Sequence, residues 1–212
     1  MPELDADPVG RQHRLDAVAE AVRECTRCPL HRSRIQGVPG TGPVTARLMA
    51  VGEAPGENED RQGRPFVGAA GSLLTGLLQG IGLSRDDIFI TNVLKSRPPL
   101  NRDPLPEEVA ACAPYLDLQI ALIRPRVILL LGRHALARLV PGAEPISRCH
   151  GRPIRTEGRV YLPVYHPAAA LYNGGLLATL REDFARLDQL LQELEAASPV
   201  ESAPDVQQLA LF

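Results

Sequence analysis

"RLMAVGEAPGENEDRQGRPFVG", residues 47–68, joins a short apolar run to a turn crowded with glycine and proline. The run from Leu48 to Val51 has the continuous apolar character of a strand buried on both faces. The segment after it is poor helix and poor strand by composition. It carries four carboxylates, on Glu53, Glu57, Glu59 and Asp60, and sets Phe66 between Pro65 and Val67. Long irregular segments inside compact domains are usually functional. A solitary match of this kind would be read first as an acidic surface loop.

Three more runs share the strand character of residues 46–52: 87–94 (DIFITNVL), 126–132 (RVILLLG) and 159–167 (RVYLPVYHP). Helical spacing lies around them. Residues 14–25 place Leu15, Val18, Ala19 and Val22 on one face, and residues 71–82 and 133–140 are helical in pattern. Residues 105–123 open with a proline and two acids, which favours a helix start. Residues 176–196 carry an apolar stripe of Leu177, Leu180, Phe184, Leu187, Leu191 and Leu194, the pattern of core packing. Strands alternating with helices predict an α/β fold, a three-layer α/β/α sandwich around a mostly parallel four-stranded sheet. Sites in such sheets lie beyond the carboxyl ends of the strands. The loops GEAPG, KSRPPLNRDP and HPAAALYN all begin at those ends.

With 212 residues, the chain suits one domain with tails: a loose segment over 1–12, a domain over 13–197 and a disordered tail over 198–212. No run reaches transmembrane length and the start has no apolar signal region, so a cytoplasmic protein without membrane attachment is expected. Net charge is −2, yet residues 90–173 hold 11 Lys and Arg against 6 Asp and Glu, while residues 174–212 hold 2 against 7. That distribution suits either a cationic face behind a neutral total or ordinary solvated charge. Of four cysteines, Cys25 and Cys28 have the spacing of a metal or redox pair, and Cys112 and Cys149 stand apart. Disulfides are not expected in the cytosol.

The stretches GEAPGENEDRQGRPFVG, TNVLKSRPPLNR and HPAAAL, following an amino-terminal C-x-x-C, resemble the family-4 uracil-DNA glycosylases over about Cys25 to Leu194. The resemblance implies an enzyme that flips uracil out of DNA and hydrolyses the bond between base and sugar. Taken singly, Phe66 reads as a core ring, Asn92 as a strand-ending turn residue and His166 as a helix cap. The resemblance instead makes Phe66 the stacking surface for the base, Asn92 the reader of its edge and His166 the donor to uracil O2. It puts the backbone of Gly52 to Gly56 beneath the base and sugar, with Ala54 where classical uracil glycosylases have an aspartate. Glu53 is then the first candidate for orienting water, and Glu59 would stand near C5 and exclude thymine. Glu57, Asn58 and Asp60 would face water or cap the next turn. Leu171 would be an apolar wedge in the minor groove, and Lys95, Arg97 and Arg102 would contact phosphates.

The same resemblance implies a 4Fe–4S cluster. Cys25, Cys28 and Cys112 match three ligands, but the third position in order, after Lys95, is Ser96 in place of cysteine. A serine oxygen is a harder and weaker iron ligand than a thiolate. Ser96 ligates, or the cluster is labile or incomplete, or water or Cys149 fills in; Cys149 otherwise reads as an ordinary buried thiol. Zinc on Cys25, Cys28, Cys112 and His31 is the competing reading.

The chain ends in QLALF, which resembles the peptides that dock repair proteins on the DNA sliding clamp; Gln208, Leu209, Leu211 and Phe212 would be its anchors. Folding of the tail onto its own domain is the other reading. A monomer acting on uracil-containing DNA is expected. The alternatives are a uracil-DNA binding or crosslinking protein of the same superfamily, disfavoured because the loop after Lys95 has no histidine, and a redox protein built on C-x-x-C, which leaves Phe66, Asn92 and His166 without a role.

Overall fold

A computed structural model describes residues 7–156 and 159–197; the clamp-like peptide at 208–212 lies outside them. In chain order the elements are α1 (Pro8–Arg23), β1 (Leu48–Gly52), α2 (Glu57–Gln62), α3 (Ala69–Gln79), β2 (Phe89–Asn92), α4 (Pro106–Ile123), β3 (Val127–Leu131), α5 (Arg133–Leu139), α6 (Ile146–Cys149), β4 (Ile154–Thr156), β5 (Arg159–Val164), α7 (Pro167–Tyr172) and α8 (Gly175–Ala196).

The sheet order is β2-β1-β3-β5-β4. The first four strands pair in parallel, and β4 runs antiparallel to β5. Among the described residues the sheet therefore has five strands, not the expected four. The extra strand is a three-residue edge with two exposed positions, so it has no apolar run to announce it. Another difference is at the start. α1 begins at Pro8, inside the segment expected to be loose, because the Asp7 carboxylate accepts from the amides of Val9 and Gly10 and proline is pre-shaped for the first helical turn.

Successive side chains of a strand point to opposite faces, and both faces are covered. Leu48, Ala50, Ile90, Leu129 and Leu162 pack with Leu74 and Leu78 of α3 and Phe184 and Leu187 of α8. Met49, Val51, Ile128, Leu130 and Tyr161 pack with residues of α1, α4 and α5. Every residue of β1 and β3 is buried, which is why these strands read as unbroken apolar runs. The chain reaches β2 from β1 through α3 on one face, then returns past β1 to β3 through α4 on the other. Strand order reverses between β1 and β3, and a crevice opens beyond their carboxyl ends.

Candidate active site

A cavity of about 300 Å³ occupies that crevice, and Glu53, Ala54, Glu59, Phe66, Asn92 and His166 all line it. Three loops whose motif residues lie up to 113 positions apart, from Glu53 to His166, thus meet in one place. Gly52 lies beneath. A Cβ there would sit 2.4 Å from Asn92 Oδ1 and 2.5 Å from Phe66 Cζ, so only glycine lets the two side chains close over the end of β1.

Phe66 explains the crowding of the 52–68 loop. Its φ of 53° is left-handed, a strained geometry for a bulky residue. Both flanks are clamped. Arg85 donates to the carbonyls of Pro65 at 2.8 Å and Phe66 at 3.0 Å. Glu59 Oε1 accepts from the amides of Val67 and Gly68 at 2.8 and 2.9 Å, and its Oε2 from the Gly56 amide at 3.1 Å. Strain of this kind, about 1–3 kcal/mol, persists only where surroundings over-determine it. Glu59, which lines the cavity, has work beyond that expected: its oxygens face three backbone amides and hold the turn that presents Phe66. Glu57, Asn58, Glu59 and Asp60 together form most of α2, a helix the loop's composition did not suggest. Asp60 does not face water: it is buried and accepts from the amides of Ile35 and Gln36.

Asn92 ends β2 at 2% exposure, and its Oδ1 has no hydrogen-bond partner. Buried acceptors are rarely left unpaired, so this atom is set up to receive a donor in the cavity. Beneath it, Lys95 corrects an expectation. It is no phosphate contact: it is buried, and its Nζ donates to Thr91 Oγ1, Asn92 O and Gln119 Oε1 at 2.6, 2.8 and 2.7 Å. Burial pulls its ammonium down to about 7.

His166 caps α7, its Nδ1 accepting from the Ala168 amide at 3.1 Å. The proton of the neutral ring therefore resides on Nε2. Burial, opposed by Glu59 and assisted by His134, lowers the ring to about 4. Its ring stacks on Phe66 with centroids 5.6 Å apart and planes at 28°. Gly132, at φ +92°, is where the chain passes so close that a Cβ would meet His166 Cβ at 3.0 Å.

Glu53 lies where the loops after β1 and β3 meet. Burial raises its carboxyl above the ordinary value, with His134 pulling the other way. Its Oε2 is 3.5 Å from His134 Nε2, and Asp103 Oδ1 is equally far from that nitrogen. Ligand atoms of Glu53, Asp103 and His134 fall within 4.8 Å of one another. Arg133 donates to both Asp103 and His134 Nε2, placing a positive charge against the group. His134 and Arg133 carried no signal in the sequence beyond a short helical pattern; only the meeting of the β1 and β3 loops gives them a role.

Arg97, Arg102 and Leu171 reach the surface near the mouth, but the arginines are less free than expected. Arg97 Nε donates to Asn101 Oδ1 at 2.8 Å, and Arg102 forks onto Glu108 at 2.6 and 2.9 Å. Leu171 is half exposed on α7. Tyr172, unremarked in the sequence, lines the cavity from α7, with Pro98 and Asn101 from the turn after β2.

Three of the four cysteines gather beside Ala54. Cys28, Cys112, Leu30, Leu94 and Ala54 share one small cluster. The Cys112 thiol is raised chiefly by burial, with the Lys95 amide and ammonium opposing and the Cys28 and Cys25 sulfurs adding to the rise. Arg34 donates to Ser96 Oγ at 2.7 Å and to the Cys25 carbonyl at 2.9 Å. Cys25 and Cys28 are thus near enough to Cys112 to act on its thiol, and Arg34 ties the Ser96 hydroxyl to the backbone of Cys25. Zinc takes the same thiolates and stays the competing reading; among the described residues, the ligand atoms of Glu53, Asp103 and His134 lie within 4.8 Å of one another. Cys149 is elsewhere, buried on α6 and donating to the Glu144 carbonyl at 3.2 Å.

Comparison with known proteins places this geometry in a family. The model of the uracil DNA glycosylase superfamily matches residues 39–195. A type-4 uracil-DNA glycosylase of Sulfurisphaera tokodaii is 47% identical over 83% of this chain and 84% of its own length. One from Saccharolobus solfataricus is 48% identical over 84% and 86%, and one from Archaeoglobus fulgidus 45% identical over 83% and 92%.

Proposed function

The chain belongs to the uracil-DNA glycosylase superfamily, with type-4 enzymes as close relatives, and from that premise we propose how it releases uracil from DNA and leaves an abasic site. The orphaned Oδ1 of Asn92, facing a cavity walled by Phe66 and His166, carries the reading. An extruded uracil stacks on Phe66, worth ~1–3 kcal/mol for a base on an aromatic face. Asn92 Oδ1 accepts from N3–H while its amide nitrogen donates to O4. Cytosine offers an acceptor at N3 and a donor at C4, so it would leave buried groups unpaired and be rejected.

Cleavage breaks the C1′–N1 bond, and the electron pair leaves with the base. His166 stays neutral and donates its Nε2–H to O2, where negative charge develops. The sugar acquires oxocarbenium character, and the carboxylate of Glu53 steadies it and takes a proton from the incoming water, whose oxygen bonds to C1′. Phosphates at the mouth meet Arg97, Arg102 and the more exposed Arg133, which makes binding salt-sensitive. Leu171 enters the groove at the flipped site.

The resemblance carried by the C-x-x-C and Cys112 implies an iron–sulfur cluster. Cys25, Cys28 and Cys112 would hold it, and when bound it would cross-link the segment after α1 to α4. No step of base release passes through it. Gln208 to Phe212 would dock on the sliding clamp in a monomeric enzyme of the cytoplasm; removing them should abolish clamp binding and leave excision from short oligonucleotides unchanged. Among the described residues, no helix is long and apolar enough to cross a membrane.

The deciding experiment incubates the protein with a uracil-containing oligonucleotide and then adds alkali. Strand breakage at the uracil is expected. An intact strand, or a protein–DNA adduct that survives denaturation, overturns turnover and returns the crosslinking alternative.

A further inference from the structure

The two most exposed large apolar residues among those described are Leu100, at 96%, and Tyr172, at 93%. Both stand at the cavity mouth. Tyr172 lines the cavity itself, and Leu100 lies between Pro98 and Asn101, which do. Leu100 is also strained. Its φ and ψ are 55° and 21°, and Asn101 follows with φ 54°. Asparagine tolerates the left-handed region, whereas leucine seldom enters it. Glycine would adopt this turn freely.

The surroundings hold the strained shape. Pro98 and Pro99 stiffen the entry, the Asn101 amide donates to the Pro98 carbonyl at 3.0 Å, and the Arg102 amide to Pro99 at 3.2 Å. Arg97 Nε then fixes Asn101 through its side chain, and Arg102 is forked onto buried Glu108. A rigid turn thus directs an apolar side chain into water in a backbone conformation it disfavours. The fold holds the strain, but nothing in the free protein uses the exposed side chain it presents, which points to a role in a bound state. The partner is the one whose base the adjoining cavity receives, and the arginines around the turn suit its phosphates.

We propose that Leu100 is a second wedge, entering the stack of double-stranded DNA next to the extruded uracil from the turn after β2 while Leu171 and Tyr172 approach from α7. Apolar wedges hold base steps apart and so assist extrusion. The inference rests on the uracil reading and adds a determinant of duplex over single-stranded substrate, since a single strand has no pairing to hold open.

Leu100→Gly tests it in the full chain. The substitution relieves the left-handed backbone, so the melting temperature should hold or rise. Expected is a fall of about 10-fold or more in kcat/KM on duplex uracil DNA, the order set by a lost unstacking contact. Excision from the single strand should change little, and Leu100→Met should restore duplex activity. A 2-aminopurine beside the uracil should fluoresce less with Leu100→Gly than with wild type. Unchanged duplex rates, or equal loss on both substrates, overturn the wedge alone. A wild-type protein that excises from neither substrate overturns the glycosylase reading and the wedge with it.

Discussion

Gly52 and Asn92 are partners in register at the ends of β1 and β2, and a methyl group on Gly52 would lie 2.4 Å from Asn92 Oδ1. Neither neighbour can yield, since Asn92 is buried and Phe66 is clamped by Arg85 and Glu59. Gly52→Ala should therefore push the base reader and the stacking ring apart. Overpacking of this kind costs about 1–3 kcal/mol, visible as a lower melting temperature. Excision should fall further than that loss explains, by roughly 10²-fold for a misplacement of about 1 Å. Wild-type rates in a folded Gly52→Ala protein would detach these residues from the chemistry.

Asn92→Ala separates function from stability in the opposite sense. Oδ1 makes no hydrogen bond in the free protein, so its removal forfeits none, and the melting temperature should shift little. Uracil excision should fall by at least roughly 10²-fold, because a site built to pair with a base edge loses its reader. The measurement is single-turnover excision beside thermal unfolding. A large stability loss with modest rate loss would make Asn92 a structural residue.

Titration should divide between two groups. His166 titrates near 4 in the fold and near 6.5 when unfolded. Between those values the unfolded chain holds the extra proton, so stability falls as pH drops from about 6.5 toward 4. His166→Asn should flatten part of that fall. Above it the ring stays neutral, and the excision profile should show no inflection from His166 near 6.5. The acid limb of kcat/KM should belong to Glu53, whose carboxyl burial holds above 4.5, and Glu53→Gln should remove that limb. An unaltered limb in Glu53→Gln would return the water to another group.

The four long strands were legible because burial on both faces writes unbroken apolar runs, as at Leu48 to Val51 and Val127 to Leu131. β4 was not, since an exposed edge of three residues leaves no such trace. Phe66, Asn92 and His166 were found through loop motifs and do meet in one cavity. Lys95 was misread. A charged residue in a functional loop suggests an outward contact, yet Lys95 is spent inward on Thr91, Asn92 and Gln119, and Glu59, while lining the cavity, also holds three amides. Such partners are tertiary and have no local signature. The same holds for His134, which reaches Glu53 only because the β1 and β3 loops converge.

Ser96→Cys should restore a fourth thiolate. Ser96 is buried next to Lys95, whose amide already donates to Cys112 Sγ at 3.4 Å, and its hydroxyl accepts from Arg34. A hydroxyl so engaged is a poor iron ligand, while a thiolate in the same position would compete for iron and keep the guanidinium as a charge partner. The variant should therefore retain more iron and acid-labile sulfide per chain after anaerobic purification, and lose them more slowly to chelator. Its melting temperature should become less sensitive to chelation, because a cluster held at four corners stabilises the fold by mass action. Excision from short oligonucleotides should be unchanged, as no reacting group touches Ser96. Equal iron content and equal chelator sensitivity in both proteins would mean that Ser96 already ligates as well as a cysteine, or that the three thiols hold no iron at all, and iron analysis of the wild-type protein distinguishes these two.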